Sequence, residues 1–223
     1  HRYDPNTPME EICRAFDWLV RKGYTHYWGT SMWSAQKIEE AMRICENFRL
    51  VKPIAEQPEY SLVVREKVEK EYASLYETHK IGATIWSPLA GGVLTGKYDK
   101  EIPQDSRGSS SLSFLVQKYI APENIKETRR KTGALAQIAK ELDSTPARLA
   151  LAWTLKNRDV STAIMGARKI EQFDDNILAL EDVKKITPEI EARIEEIFKN
   201  QPDTEMDNRL LKKIEPRRKI ATA

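Results

Sequence analysis

The stretch THYWGTSMWSAQKIEEAMRICENF, residues 25–48, joins two periodicities. Residues 25–29 read as a buried strand, and residues 34–48 as a helix with Ile38, Ala41, Met42 and Cys45 on one face. Between them lies a polar joint, Thr30-Ser31-Met32-Trp33-Ser34. In α/β proteins the carboxyl end of a strand at such a joint is where ligands are held.

The pattern repeats outward from this joint. Upstream, Thr7 and Pro8 open a helix as cap and first position, and Gly23 closes it. Downstream, strands are expected near residues 53–57, 83–87 and 160–166, with helices near 64–80, 122–142, 146–157 (capped by Thr145), 168–180 and 187–198. The glycine- and serine-rich stretch 96–121 is too long for an ordinary connection and reads as a functional excursion. Alternating strands and helices mean parallel strands joined by right-handed crossovers. Four such strands fit part of an open doubly wound sheet or half of an eight-stranded barrel, and periodicity does not choose.

Composition narrows the function classes. The 223 residues are 40% hydrophobic and 31% charged, as in globular proteins, and the net charge of +2 provides no global field for nucleic acid. No apolar run is long enough for membrane insertion. Cys13 and Cys45 are too few for a disulfide framework; they read as small buried residues of a reducing, cytoplasmic setting. His26 and His79 have no partner at metal-ligand spacing, and Tyr24, Tyr27 and Tyr60 read as packing residues. The opening HRYDPNTPMEE, without an initiating methionine, reads as cut from a longer polypeptide, and the tail from Gln201 is polar, then basic.

Every expected strand ends in hydrogen-bonding groups, glycine or an aromatic: Thr30 and Ser31; Glu56, Gln57 and Tyr60; Trp86 to Gly91; Gly166 to Arg168. These types suit a dinucleotide. Trp86 offers a face for a nicotinamide ring, and Ser31 and Gln57 offer donors and acceptors for its carboxamide. Small residues at 89–92 present backbone N–H groups to a pyrophosphate, and Lys97, Arg107 and Arg168 are cations for a 2′-phosphate. There is no G-x-G-x-x-G, so the Rossmann route is absent.

YWGTSMWSA, EQPEYS, WSPLAGGVLTGKY and MGARKIEQFDDNI, in this order and spacing, resemble the aldo-keto reductase superfamily, on the branch of the potassium-channel beta subunits. The resemblance covers residues 1–203 as a partial oxidoreductase domain, leaving 204–223 as a polar and basic tail. It implies the C-terminal portion of a (β/α)8 TIM barrel, with the N-terminal strands missing, that binds NADPH in extended form across the C-terminal face. Ser31 and Gln57 would hold the carboxamide, and Trp86 would stack on the nicotinamide. Ser87, Leu89, Gly91 and Lys97 would line the pyrophosphate, with Arg107 closing over it. Gly166, Arg168, Gln172, Asp175 and Asn176 would take the 2′-phosphate and adenine, the last three sharing one helix face.

The chemistry implied is hydride transfer to a carbonyl carbon, with a tyrosine as general acid, tuned by lysine and aspartate, and a histidine orienting the carbonyl. His1 stands at the histidine position; the other three belong to early strands not in this chain. Met32 and Asp105 depart from the usual motif, the latter where an aromatic often stands. The resemblance implies a small carbonyl substrate or, in a non-enzymatic regulator, a homo-oligomer or a membrane-channel partner. A half barrel should also leave two open sheet edges and an uncovered apolar face.

Overall fold

The computed structural model describes residues 1–104, 106–110 and 113–203. Asp105 and the tail 204–223 lie outside the described residues. Four strands form one parallel sheet in sequence order: β1 (Gly29–Thr30), β2 (Ala55–Glu56), β3 (Gly82–Trp86) and β4 (Val160–Ile164). Helices fill the crossovers: α1 (Met9–Arg21) precedes β1, α2 (Ala35–Asn47) links β1 to β2, and a π-helical turn (Lys67–Glu71) with α3 (Ala73–His79) links β2 to β3. Between β3 and β4 come α4 (Phe114–Ile120), α5 (Ile125–Glu141) and α6 (Pro146–Lys156); α7 (Ile170–Ile177), α8 (Ala179–Asp182) and α9 (Pro188–Phe198) follow β4.

Local chemistry explains most boundaries. Ser34, Thr145 and Thr187 each accept a hydrogen bond from the backbone N–H three residues on, and Pro146 and Pro188 occupy first-turn positions that need no donor. Thr7 does not cap α1 as expected. Its hydroxyl donates to Asp4, and Pro8, in an extended conformation, takes the cap position. The helix expected at 64–80 is split between the π turn and α3, and the excursion contains α4, which the glycine- and serine-rich composition concealed.

The core lies between the sheet and the helices. Ala83 and Ile85 turn one face of β3 inward against Ile38 and Met42 of α2, Leu75 of α3 and Leu149 of α6, all buried. Tyr60 packs there too, tilted against Trp153, whereas Tyr24 and Tyr27 are 73% and 66% exposed and lie outside the core, Tyr24 resting against Trp18 at 5.6 Å between ring centres. Cys13 and Cys45 are buried in α1 and α2, as their spacing predicts. The opposite face of the sheet carries Thr84 and Trp86, paired in register with Thr162 and Ile164. It is a mixed face, not the apolar one expected, and β1 and β4 are its edges among the described residues. A register shift lies between Ala83 and Thr84, and at Gly82 a Cβ would sit 2.5 Å from the Ser161 hydroxyl oxygen, so a side chain there would need the serine to turn away.

Beyond β4 the fold is fastened by charge. Asp182, 1% exposed, accepts from Ser144 at 2.6 Å and Arg148 Nη2 at 2.8 Å, and pairs with Lys185 at 2.7 Å. Burial pushes its pKa up, but the Lys185, Ser144 and Arg148 contacts outweigh burial and hold it below the ordinary 3.8. A carboxylate with a lowered folded-state pKa contributes stability that is present above the unfolded pKa and lost as pH falls through the folded one. Asp182→Ala should destabilise the chain by about 3 kcal/mol in urea unfolding at neutral pH, because Arg148 is left without its main partner. The difference from the parent should narrow as the pH is taken below about 4.

Candidate functional site

Parallel strands in sequence order set the polar strand ends side by side along one edge of the sheet. At about 4.8 Å between neighbours, the row from β1 to β4 is about 15 Å long, a length that suits an extended ligand. The ends present Ser31, Gln57, Trp86 with Ser87, and Gly166 with Arg168, in that order.

At the β1–β2 end, Ser31 and Gln57 are neighbours. Gln57 N–H donates to Thr30 O at 2.8 Å, and Ser31 Oγ donates to Gln57 O at 3.0 Å. The turn 30–33 is strained, since Met32 has φ 58°, and its Sδ accepts from Glu59 N–H at 3.2 Å. Behind the turn lies Glu56, fully buried, whose carboxylate accepts from the Thr30 hydroxyl and faces the N–H groups of Met32 and Trp33. Burial raises its pKa against those hydrogen bonds. Trp33 Nε1 donates to His1 O at 2.9 Å, and Tyr3 packs edge-on against Trp33, so the opening residues are anchored here. The His1 side chain is exposed, and Arg2 lies 5.7 Å from the centre of the Trp86 ring.

After β3 the chain enters a run of unusual backbone. Ser87 (φ 55°), Ala90 (φ 48°), Gly91 (φ 68°) and Gly92 (φ 97°) are left-handed, and Leu89 (φ −100°) precedes Ala90. A right-handed residue followed by a left-handed one turns successive N–H groups into a concavity that suits an anion. Two cations border it. Lys97 Cε stands 2.5 Å from where a Cβ on Gly92 would be, and Arg107 Cδ stands 3.9 Å from where one on Gly91 would be. Tyr98 ties the two sides, its hydroxyl donating to Gly91 O at 3.4 Å and accepting from Gly108 N–H at 3.3 Å.

After β4, Gly166 and Arg168 are exposed, and Gln172 Oε1 accepts from Arg168 N–H at 3.0 Å. The guanidinium of Arg168 has no ion-pair partner among the described residues. Gln172, Asp175 and Asn176 share α7 as expected, but they divide their work. Asp175 accepts from the capping Thr145 at 2.9 Å and lies 4.0 Å from Arg148, and Asn176 is buried. Of the three, Gln172 faces Arg168 and solvent.

His26 is exposed, and His79 Nε2 lies 2.9 Å from Glu39. No cluster of three or more metal-ligand residues occurs among the described residues, and none of their helices is long and apolar enough to cross a membrane. Sequence reasoning left Tyr98 without a role; its position beside Lys97 was the available signal.

The donor set fits a phosphorylated dinucleotide: an αR–αL turn, two cations across it, an aromatic and an amide on one side and an open guanidinium on the other. The turn also depends on glycine at 91, where a Cβ would lie 2.4 Å from Val116 Cγ1 with φ already positive. Gly91→Ala should destabilise the chain by about 2 kcal/mol, lowering its melting temperature.

Comparison with known proteins identifies the family. The aldo/keto reductase family model matches residues 1–199. A protein of Schizosaccharomyces pombe provisionally named voltage-gated potassium channel subunit beta is 45% identical over 202 residues, covering 91% of this chain and 58% of that protein. Proteins with the same provisional name from Oryza sativa subsp. japonica and Arabidopsis thaliana are 46% and 44% identical over 206 residues, covering 91% of this chain and 61% of each. The chain thus spans 58–61% of the length of these relatives. The parallel sheet and its surrounding helices are consistent with part of a (β/α)8 barrel, and the chain belongs to the aldo/keto reductase family.

Proposed function

We propose that this chain binds NADPH in extended form along the carboxyl ends of its four strands, in the service of carbonyl or aldehyde reduction. The observation that carries the reading is the turn from Ser87 to Gly92, with positive φ at Ser87, Ala90, Gly91 and Gly92, bordered by Lys97 and Arg107 and following Trp86. Ser31 and Gln57 hold the carboxamide, and Trp86 supports the nicotinamide ring. Ser87, Leu89, Gly91 and Lys97 surround the pyrophosphate, and Arg107 covers it. Gly166, Arg168 and Gln172 take the 2′-phosphate and adenine. Asp175 supports that end from behind through the Thr145 contact, and Asn176 through its burial in α7.

When bound, NADPH supplies a hydride to a carbonyl carbon. The chain's own residues fix where that happens. The anchored backbone of His1 keeps its imidazole at the nicotinamide end, where it orients the carbonyl oxygen. The part assigned to this chain's residues is to hold the cofactor and to orient the carbonyl.

A second reading is favoured by the relatives' names. On that reading the same NADPH site belongs to a non-enzymatic subunit that reports cofactor state to a membrane channel. The two readings share every cofactor contact and differ in catalysis.

Titration of the chain with NADPH should quench tryptophan fluorescence to saturation, with NADH binding more weakly. Absence of saturable quenching would remove the proposal. Arg168→Ala should reduce the preference for NADPH about tenfold, as expected for loss of one charge-assisted phosphate contact. An unchanged ratio of affinities would take Arg168 out of the phosphate site.

A further inference from the structure

We propose that Glu56 is a positioning residue for the nicotinamide end of the site, acting through the turn 30–33 and touching no ligand itself. The inference rests on the cofactor reading above. Its ground is a convergence of contacts on a buried carboxylate. Glu56 is the last residue of β2 and is 0% exposed. Its Oε2 accepts from the Thr30 hydroxyl, and the backbone N–H groups of Met32 and Trp33 point to the same carboxylate. Tyr72 OH stands 3.5 Å from Oε1, but its single proton is committed to Trp33 O at 2.5 Å. Lys67 Nζ also donates to Trp33 O, at 3.1 Å, and to Glu71 at 3.0 Å, so the nearest cation serves the turn and not Glu56 directly.

The turn therefore closes around a buried carboxyl group. Three donors from residues 30, 32 and 33 need acceptor lone pairs in a place that excludes water, and a carboxylate provides four such sites. Met32 holds a left-handed backbone that a non-glycine residue adopts only when its surroundings enforce it. What the turn carries is the nicotinamide end itself: Ser31 Oγ on the Gln57 carbonyl, and the Trp33 indole that fixes His1. Glutamine at position 56 would fill the same volume but offer one acceptor oxygen, with two lone pairs, to the three donors of residues 30, 32 and 33. The turn would then shift as one donor lost its partner, and Ser31 and Trp33 would move with it.

The experiment compares the full chain with Glu56→Gln by calorimetric titration with two probes, NADPH and 2′,5′-ADP, the second occupying only the phosphate-adenosine end. The Trp33 indole N–H resonance is followed without ligand. The expected result is an affinity for NADPH about tenfold weaker, from the lost charge-assisted bonds, with 2′,5′-ADP affinity unchanged and the indole resonance shifted. Equal weakening of both probes would mean that Glu56 merely supports the fold, and no change in NADPH affinity would mean that it positions nothing; either result overturns the proposal. An unmoved indole resonance overturns it whatever the ligands do. If the parent chain binds neither probe, the cofactor reading fails at its root and this inference falls with it. Should Glu56→Gln not fold, Thr30→Val, which removes one donor and keeps the shape, carries the same test, with a smaller loss confined to NADPH.

Discussion

All four strands run the same way, and the rest of the molecule follows from that constraint. Parallel pairing forbids short hairpins, so each strand must be reached by a crossover long enough for a helix. Those crossovers supply the helices that bury Ala83 and Ile85 on one side of β3. Parallel pairing also puts every carboxyl end on one edge, so the residues that finish the strands become neighbours without being close in sequence. Ser31 meets Gln57 in this way, through a hydrogen bond between chain ends of β1 and β2. A site of this kind needs no binding domain of its own, because the pairing direction assembles it.

Buried charge then fixes the pieces that the strands leave loose. Glu56 gathers the turn after β1. Arg65, 6% exposed, is held by Glu69 at 2.7 Å and Glu195 at 2.6 Å, which ties the segment after β2 to α9. Asp182 does the same for α6 and α8. Each of these groups is costly to remove from water, and each is surrounded by enough donors or acceptors to offset that cost. They sit where irregular backbone meets regular structure, so the contacts specify one arrangement where apolar packing alone would allow several.

The sequence carried the order of elements and the position of most helices, because periodicity and caps are local. Strand lengths were harder to read. β1 and β2 are two residues long, since their extent is decided by the partner strand and not by their own alternation. α4 was hidden because Ser113 and its neighbours favour turns, while the contacts that make it a helix, Val116 and Ile120 in the core, come from distant residues. The candidate site residues were legible as strand-end types, and the positive φ values after Leu89 were signalled by Gly91 and Gly92. The split role of α7 was not, because i, i+3, i+4 spacing tells which residues share a face but not what the face meets. Glu56 was seen as a polar strand end; that it is buried behind the turn after β1 depends on Thr30 and the residues beyond it.

The pairing of β3 with β4 spans roughly three times as much sequence as the pairings of β1 with β2 and of β2 with β3. Closing that long segment fixes more chain before any ladder bond rewards it. Contact order therefore favours assembly of β1, β2 and β3 with α2 and α3 first, with β4 and the helices after it docking late. On that order Arg168 and Gln172 lie on the part that arrives last, while Ser31, Gln57 and Trp86 belong to the part that forms first.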